Sequence, residues 1–280
     1  MTKILKEILK GMLSQEELSK LYTGIDVIGD IAVLKIPDTL LEKKYIIAEA
    51  LLNNMKNLKT VLRQLTPVEG EYRVRQMELL VGEDRCLTIH KEYGCVYKVN
   101  LQKVFFSPRL STERMRIAKE VSVGETVINM FAGVGAFSIL IAKKQLQCKV
   151  YSIDINPEAH ILALENVKLN KVGDRVVTIL GDARDIINKQ LRKSANRVLM
   201  PLPEKAVTYL DYAVESLKAE GGIIHYYTHV YSPLGENPLT KAEKEISSNI
   251  LYPYKILFSK VVREVGPRLS QVVIDVYIHP

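Results

Sequence analysis

A glycine loop between an apolar strand and a helix constrains this chain more than any other feature. Residues 126–131 (TVINMF) form a short apolar run, the mark of a strand buried on both faces. They lead into Ala132-Gly133-Val134-Gly135-Ala136-Phe137, and a helix is expected over 136–144. The same rhythm continues downstream. Strands are expected at 149–153, 176–180, 197–200 and 222–227. Helices are expected at 157–170, about 204–217 and 241–249, the first with Pro157 in the tolerated first turn. Such alternation implies an α/β fold with a doubly wound parallel sheet, a Rossmann-type domain over 113–280. Two last strands, 254–259 and 271–278, are separated only by the loop containing Gly266-Pro267, so the sheet should close with a hairpin at one edge.

Residues 1–112 follow a different pattern, that of a smaller N-terminal α+β module. The first 22 residues suit an amphipathic helix pair rather than a signal peptide. Residues 25–36 alternate around Gly29-Asp30 as a hairpin, 42–57 suit a helix, and 60–63, 78–81, 85–91 and 95–100 suit strands. No run of about eighteen apolar residues occurs, so no membrane span is expected. Cys86, Cys95 and Cys148 lack zinc-ligand spacing, so neither a metal site nor a disulfide is expected, which fits a reducing cytoplasm. The net charge of +7 suits a polyanionic partner, although a basic surface without a partner would carry it too.

Glycines at a strand-to-helix turn let a ligand approach the backbone, and the helix start offers unpaired N–H groups. A dinucleotide site needs a third small residue, where this chain has Ile139. Phe131-Ala132-Gly133-Val134-Gly135 instead suits the amino-acid part of S-adenosylmethionine, and the closing hairpin is typical of class I methyltransferases. A purely structural turn would also use Gly133 and Gly135. Asp154, at the end of the second strand, can accept hydrogen bonds from both ribose hydroxyls. Helix capping is the alternative use, for which Asn156 is better placed. Asp182, after the third strand, is the acid expected at the adenine amino group.

Phe106-Ser107-Pro108-Arg109-Leu110-Ser111-Thr112-Glu113-Arg114, followed by Asn129-Met130-Phe131-Ala132-Gly133-Val134-Gly135, resembles the archaeal and eukaryal tRNA (guanine37-N1)-methyltransferases. Gly70-Glu71-Tyr72-Arg73-Val74-Arg75, Thr88-Ile89-His90-Lys91-Glu92 and Gly222-Ile223-Ile224-His225-Tyr226-Tyr227 carry it further, from about residue 25 to the C-terminus. The resemblance implies methyl transfer from S-adenosylmethionine to guanine N1 in the tRNA anticodon stem-loop, by a cytoplasmic monomer. It puts the general base at Glu113 and the O6-stabilising cation at Arg73, with Arg75 as second choice. Arg109 would orient the cofactor or the catalytic carboxylate. The cofactor set it implies is Arg109, Phe131, Gly133, Gly135, Asp154, Ile155, Asp182, Ala183, Pro201 and Pro203. Without the resemblance, a solvated first helical turn would be the readier use of Glu113.

The chain departs from the family pattern at two positions. Pro201 stands where an Asn is expected, and Asn129 where an Asp usually precedes Met-Phe-Ala-Gly. The sequence also starts directly with the family's middle domain, so recognition should lean on the anticodon stem. A related enzyme of wybutosine synthesis acts on a tricyclic base at position 37, by aminocarboxypropyl transfer or by carbon methylation. Arg109 and Asp154 favour the guanine methyltransferases over the aminocarboxypropyl enzyme. A non-catalytic tRNA-binding protein is the alternative of another class, and Asp154, Asp182 and Glu113 argue against it. A dehydrogenase is disfavoured by Ile139.

Overall fold

A computed structural model describes residues 2–22 and 24–280, so Met1 of the expected N-terminal helix pair lies outside the described residues. The chain divides into two compact units, residues 1–109 and 110–280.

The first unit opens with α1 (Thr2–Ile8) and α2 (Gln15–Lys20). A capping box starts α2: Ser14 Oγ accepts from the Glu17 amide while the Glu17 carboxylate accepts from the Ser14 amide. β1 (Ile25–Ile28) and β2 (Ile31–Leu34) form the expected hairpin around Gly29-Asp30. Gly29 has φ +58, and a Cβ there would stand 2.2 Å from Thr88 Oγ1, so only glycine fits. The helix expected from residue 42 begins as a 3-10 turn (Asp38–Lys43) and becomes α3 (Lys44–Asn54). It crosses over to β3 (Thr60–Gln64), parallel to β2, and β4 (Met77–Gly82) pairs antiparallel with β3. Ile47, Ala48 and Leu51 of α3 are buried against Ala32, Val61 and Leu80 of this four-stranded sheet. β5 (Leu87–Glu92) and β6 (Cys95–Asn100) make a separate two-stranded ribbon. β5 starts two residues later than expected, because Arg85 turns its guanidinium onto Asp30, 2.6 and 3.0 Å away.

The second unit runs α4 (Ser111–Glu120), β7 (Thr126–Asn129), α5 (Ala136–Lys144), β8 (Lys149–Asp154), α6 (Pro157–Leu169) and β9 (Val176–Leu180). It continues with α7 (Ala183–Ile186), β10 (Arg197–Met200), α8 (Ala206–Ser216), β11 (Gly222–Tyr231), α9 (Pro238–Asn249), β12 (Tyr254–Gly266) and β13 (Leu269–Ile278). The sheet order is β12-β13-β11-β10-β7-β8-β9. β7 to β11 pair in parallel, and β13 lies antiparallel between β11 and β12. This is a Rossmann-type sheet with the expected closing hairpin. The order reverses between β7 and β10, and ligands in such sheets bind outside the carboxyl ends of the strands at that switch.

Segment 183–191 is helical: Asp182 caps α7, which runs on into one π turn. Two expectations need correction. β11 extends to Tyr231 because β13 pairs along its whole length. β12 likewise runs to Gly266, so the expected loop is a tight turn through Pro267 and Arg268, the latter at φ 58. Proline suits the first corner of such a turn and a left-handed residue the second. Among the described residues no helix is long and apolar enough to cross a membrane.

Candidate active site

Three adjacent strand ends shape one side of the site. After β7 the loop turns through Gly133 and Gly135, at φ 55 and 83, conformations that penalise any side chain. Its backbone is braced three ways. The Gly133 amide donates to Asp154 Oδ2 (2.6 Å), Asn166 Nδ2 donates to the Val134 carbonyl (3.1 Å), and the Ala132 amide donates to the Ile153 carbonyl (2.8 Å). Asp154 Oδ1 accepts from the Asn156 amide at 2.9 Å, while Asn156 itself caps α6. Burial raises the Asp154 carboxyl above its ordinary value, against the pull of its two backbone donors.

This donor set suits S-adenosylmethionine. A carboxylate offers about four lone-pair sites, so with two filled by backbone amides Asp154 keeps two for vicinal hydroxyls. Asn129, buried at the end of β7, donates to Ser138 Oγ (3.2 Å) while its Oδ1 has no partner, an orphaned acceptor under the glycine loop. Strands lie about 4.8 Å apart, so the ends of β7, β8 and β9 together span roughly 10 Å, the scale of an adenosine.

Asp182, beyond β9, is engaged locally. It accepts from the Arg184 amide (2.8 Å), the Arg184 guanidinium (2.7 Å) and the Tyr209 hydroxyl (2.9 Å). Burial would raise its carboxyl, but these donors outweigh it and hold it low. The Arg184 guanidinium also lies 4.9 Å over the Tyr209 ring, and Phe131 meets Tyr209 edge-on at 5.0 Å. Ala183 is buried and Ile155 half-buried. Pro201 and Pro203 are half-buried beyond β10, with Pro203 opening a 3-10 turn.

Elsewhere in the second unit, Glu113 does not occupy a solvated helical turn: it is 2% exposed. Its Oε1 accepts from Arg116 Nη2 at 2.6 Å and from the Tyr227 hydroxyl at 2.7 Å, and its Oε2 accepts from Arg116 Nε at 3.0 Å. Burial and the Glu113 charge together push the Tyr227 phenol well up. Arg116 reaches Asp275 Oδ2 (2.5 Å) and Glu120 Oε1 (2.7 Å) with Nη1. Asp275 Oδ1 meets His225 Nδ1 at 2.6 Å, and His225 Nε2 meets Arg197 Nη1 at 2.7 Å. A guanidinium only donates, so His225 accepts at Nε2 and donates its Nδ1–H to Asp275. Arg197 is closed by Glu125 at 2.7 Å. Burial would raise the Asp275 carboxyl, but His225 and Arg116 outweigh it and hold it below the ordinary range. Glu120, His225 and Asp275 bring ligand-type atoms within 4.8 Å of one another, yet both His225 nitrogens are taken and two guanidiniums neighbour the cluster, so a cation is disfavoured there.

In the first unit, Arg73 sits at φ 53 in the tight loop closed by the Glu69–Val74 bridge, its guanidinium 5.1 Å over the Phe105 ring. Arg109 pairs with Asp26 at 2.7 Å. Arg75 donates to Gln64 at 3.0 Å, and burial lowers its guanidinium. Sequence reasoning missed Arg116, Tyr227, Asp275, Arg197 and Tyr209. Only the Glu113/Arg116 pair, by its three-residue helical spacing, and Tyr227, within the quoted stretch 222–227, had a readable signal.

The model of the TRM5/TYW2 methyltransferase domain matches residues 88–251, and that of the TYW2 N-terminal domain matches residues 5–85. The tRNA (guanine(37)-N(1))-methyltransferase Trm5b of Pyrococcus abyssi is 41% identical over 93% of this chain and 76% of its own length. The tRNA 4-demethylwyosine(37)-methyltransferase Taw21 of Saccharolobus solfataricus is 36% identical over 97% of this chain and 99% of its own. Among solved structures, the complex of aTrm5 with tRNALeu superposes with a TM-score of 0.86 at 38% identity, over 98% of this chain and 78% of that one.

Proposed function

The chain belongs to the TRM5/TYW2 family of S-adenosylmethionine-dependent methyltransferases, and from that premise we propose that it methylates N1 of guanine 37 in tRNA, with Glu113 as general base. The observation that carries this reading is the 41% identity to Trm5b across 93% of the chain. Bound S-adenosylmethionine supplies a methyl group on a sulfonium, whose C–S electrons stay with sulfur when the methyl leaves.

The chain's own residues do the rest. The glycine loop, Asp154 and Asp182 hold the cofactor, with Phe131, Ile155, Ala183, Pro201 and Pro203 beside it. Guanine N1 carries a proton and is a poor nucleophile at neutral pH. Glu113 takes that proton as the N1–methyl bond forms, so the products are neutral 1-methylguanine, S-adenosylhomocysteine and a carboxylic acid that returns its proton to water. Arg73 supplies the cation for charge developing on O6, with Arg75 as second choice. Arg109 orients the reacting groups. The substrate element is the anticodon stem-loop, and the enzyme works as a cytoplasmic monomer whose catalytic domain is the second unit, residues 110–280.

Mass spectrometry of nucleosides from an unmodified tRNA transcript, incubated with the protein and S-adenosylmethionine, tests the reading. One methyl gained, co-eluting with 1-methylguanosine, is the expected product. Activity only on tRNA carrying the tricyclic base would move the protein to wybutosine synthesis. Binding of tRNA and cofactor without turnover on either substrate would leave a binding protein.

A further inference from the structure

A carboxylate locked onto one arginine is a poor base, because the cation stabilises its charged form. Glu113 is gripped by both Nε and Nη2 of Arg116. The same guanidinium, however, is shared. Asp275, on β13, takes Nη1 and stands 3.3 Å from Nη2, and Glu120, on α4, also takes Nη1. Three carboxylates therefore draw on this charge, Glu120 also standing 3.8 Å from Arg197 Nη1. The next cation, Arg197 on β10, is already bound by Glu125 at 2.7 and 3.1 Å. The remaining groups facing the cluster, both from β11, are His225, which accepts from Arg197, and the Tyr227 hydroxyl on Glu113 Oε1. Four carboxylates thus face two guanidiniums.

The members are not equivalent. Asp275 is anchored by the His225 N–H as well as by Arg116, and its carboxyl lies low, so it stays ionised. Glu113 takes Tyr227 and Arg116 Nη2 on Oε1, but on Oε2 only the Arg116 Nε contacts it closely. Its Oε2 is therefore the oxygen with lone-pair capacity for an incoming N–H.

We propose that Arg116 and Asp275 are positioning residues for the base: Arg116 fixes the orientation of the Glu113 carboxylate, and Asp275, aided by Glu120, draws off enough of the guanidinium charge to leave Glu113 able to accept the substrate proton. This inference rests on Glu113 being the base, and it adds that the basicity is set by charges contributed from β13 and the far end of α4.

The test is the pH profile of kcat/KM for methyl transfer to a tRNA transcript. Asp275→Asn removes a competing negative charge, concentrates Arg116 on Glu113, and should move the acid limb down by about one pH unit. Glu120→Gln, at a part-exposed position, should move it the same way by less. Arg116→Gln removes the cation and should move the limb up by about one unit while lowering kcat. Arg116→Lys keeps the charge without the fork, so kcat falls with the limb in place. Cofactor affinity by calorimetry should match wild type in each variant, measured at a temperature where circular dichroism shows that variant folded. Shifts of opposite sign from removing the cation and removing its partners support the proposal. Glu113→Gln inactive but limbs unmoved, or moved in one direction by every variant, overturns the proposal alone. Glu113→Gln with full turnover overturns the base reading and this proposal together.

Discussion

At the ends of β7 and β8, the contacts that brace the glycine loop join residues 21 and 32 positions apart in sequence, whereas those that tie Glu113 and Arg116 to β11 and β13 join residues 114 and 159 apart. The first set is built largely on backbone: amides of Gly133 and Asn156 on one carboxylate, and a side-chain amide on a loop carbonyl. The second is built of charged side chains from α4, β10, β11 and β13. A backbone-built site needs particular residues only where conformation or a single acceptor demands them. A side-chain network needs every member, because an unpaired buried charge costs far more than the pair contributes.

That contrast predicts where the molecule is fragile. Arg197→Met should have the largest effect on stability, since it strands Glu125 and His225. Breaking a buried pair costs about 3–5 kcal/mol, which lowers the thermal midpoint by on the order of 10 °C for a unit of this size. A fall of only a degree or two would mean the network is dispensable to the fold. Asp154→Ala should leave the fold in place and weaken S-adenosylmethionine binding by about 10- to 100-fold, the scale of charge-assisted hydrogen bonds. Calorimetry showing wild-type affinity would break the assignment of that strand end to the cofactor.

Acid should separate the two regions again. Asp154 is raised, so keeping it ionised costs stability at neutral pH, and that cost is relieved as pH falls through its folded value. Asp275 is lowered, so its contribution is complete above the ordinary carboxylate value and is lost as pH falls through its lower folded one. Cofactor affinity should therefore decline in mild acid, by up to about tenfold per pH unit, while the Asp275 network is still intact. Loss of both together on a titration followed by calorimetry and circular dichroism would erase the distinction. The smallest effect belongs to Arg184→Ala. That pair is part-exposed and worth less than about 1 kcal/mol, and removing it frees Asp182, so cofactor affinity should rise slightly. A tenfold loss would instead make Arg184 a ligand contact.

The same contrast explains what could be read from the residues alone. The glycine loop, Asp154 and Asp182 each lie within a few residues of an apolar run, so strand placement brought them to adjacent strand ends. The hairpin after α9 was legible because no helical period separates its two strands, although its length was not, since pairing along β11 decides it. Segment 183–191 escaped because one short turn capped by Asp182 shows little periodicity. The Glu113 network was illegible for a physical reason. Arg116, His225 and Asp275 are ordinary charged residues in sequence, and only the register of β11 against β13, which pairs His225 with Asp275, brings them to one point.

The most direct test of the account measures one variant two ways. With Glu113→Gln, single-turnover methyl transfer to a tRNA transcript should fall by about 100- to 10,000-fold, the contribution of a general base, while S-adenosylmethionine affinity stays at the wild-type value. Methyl transfer at the wild-type rate would contradict Glu113 as the base, and with it the division of the catalytic unit into a cofactor side and a base side.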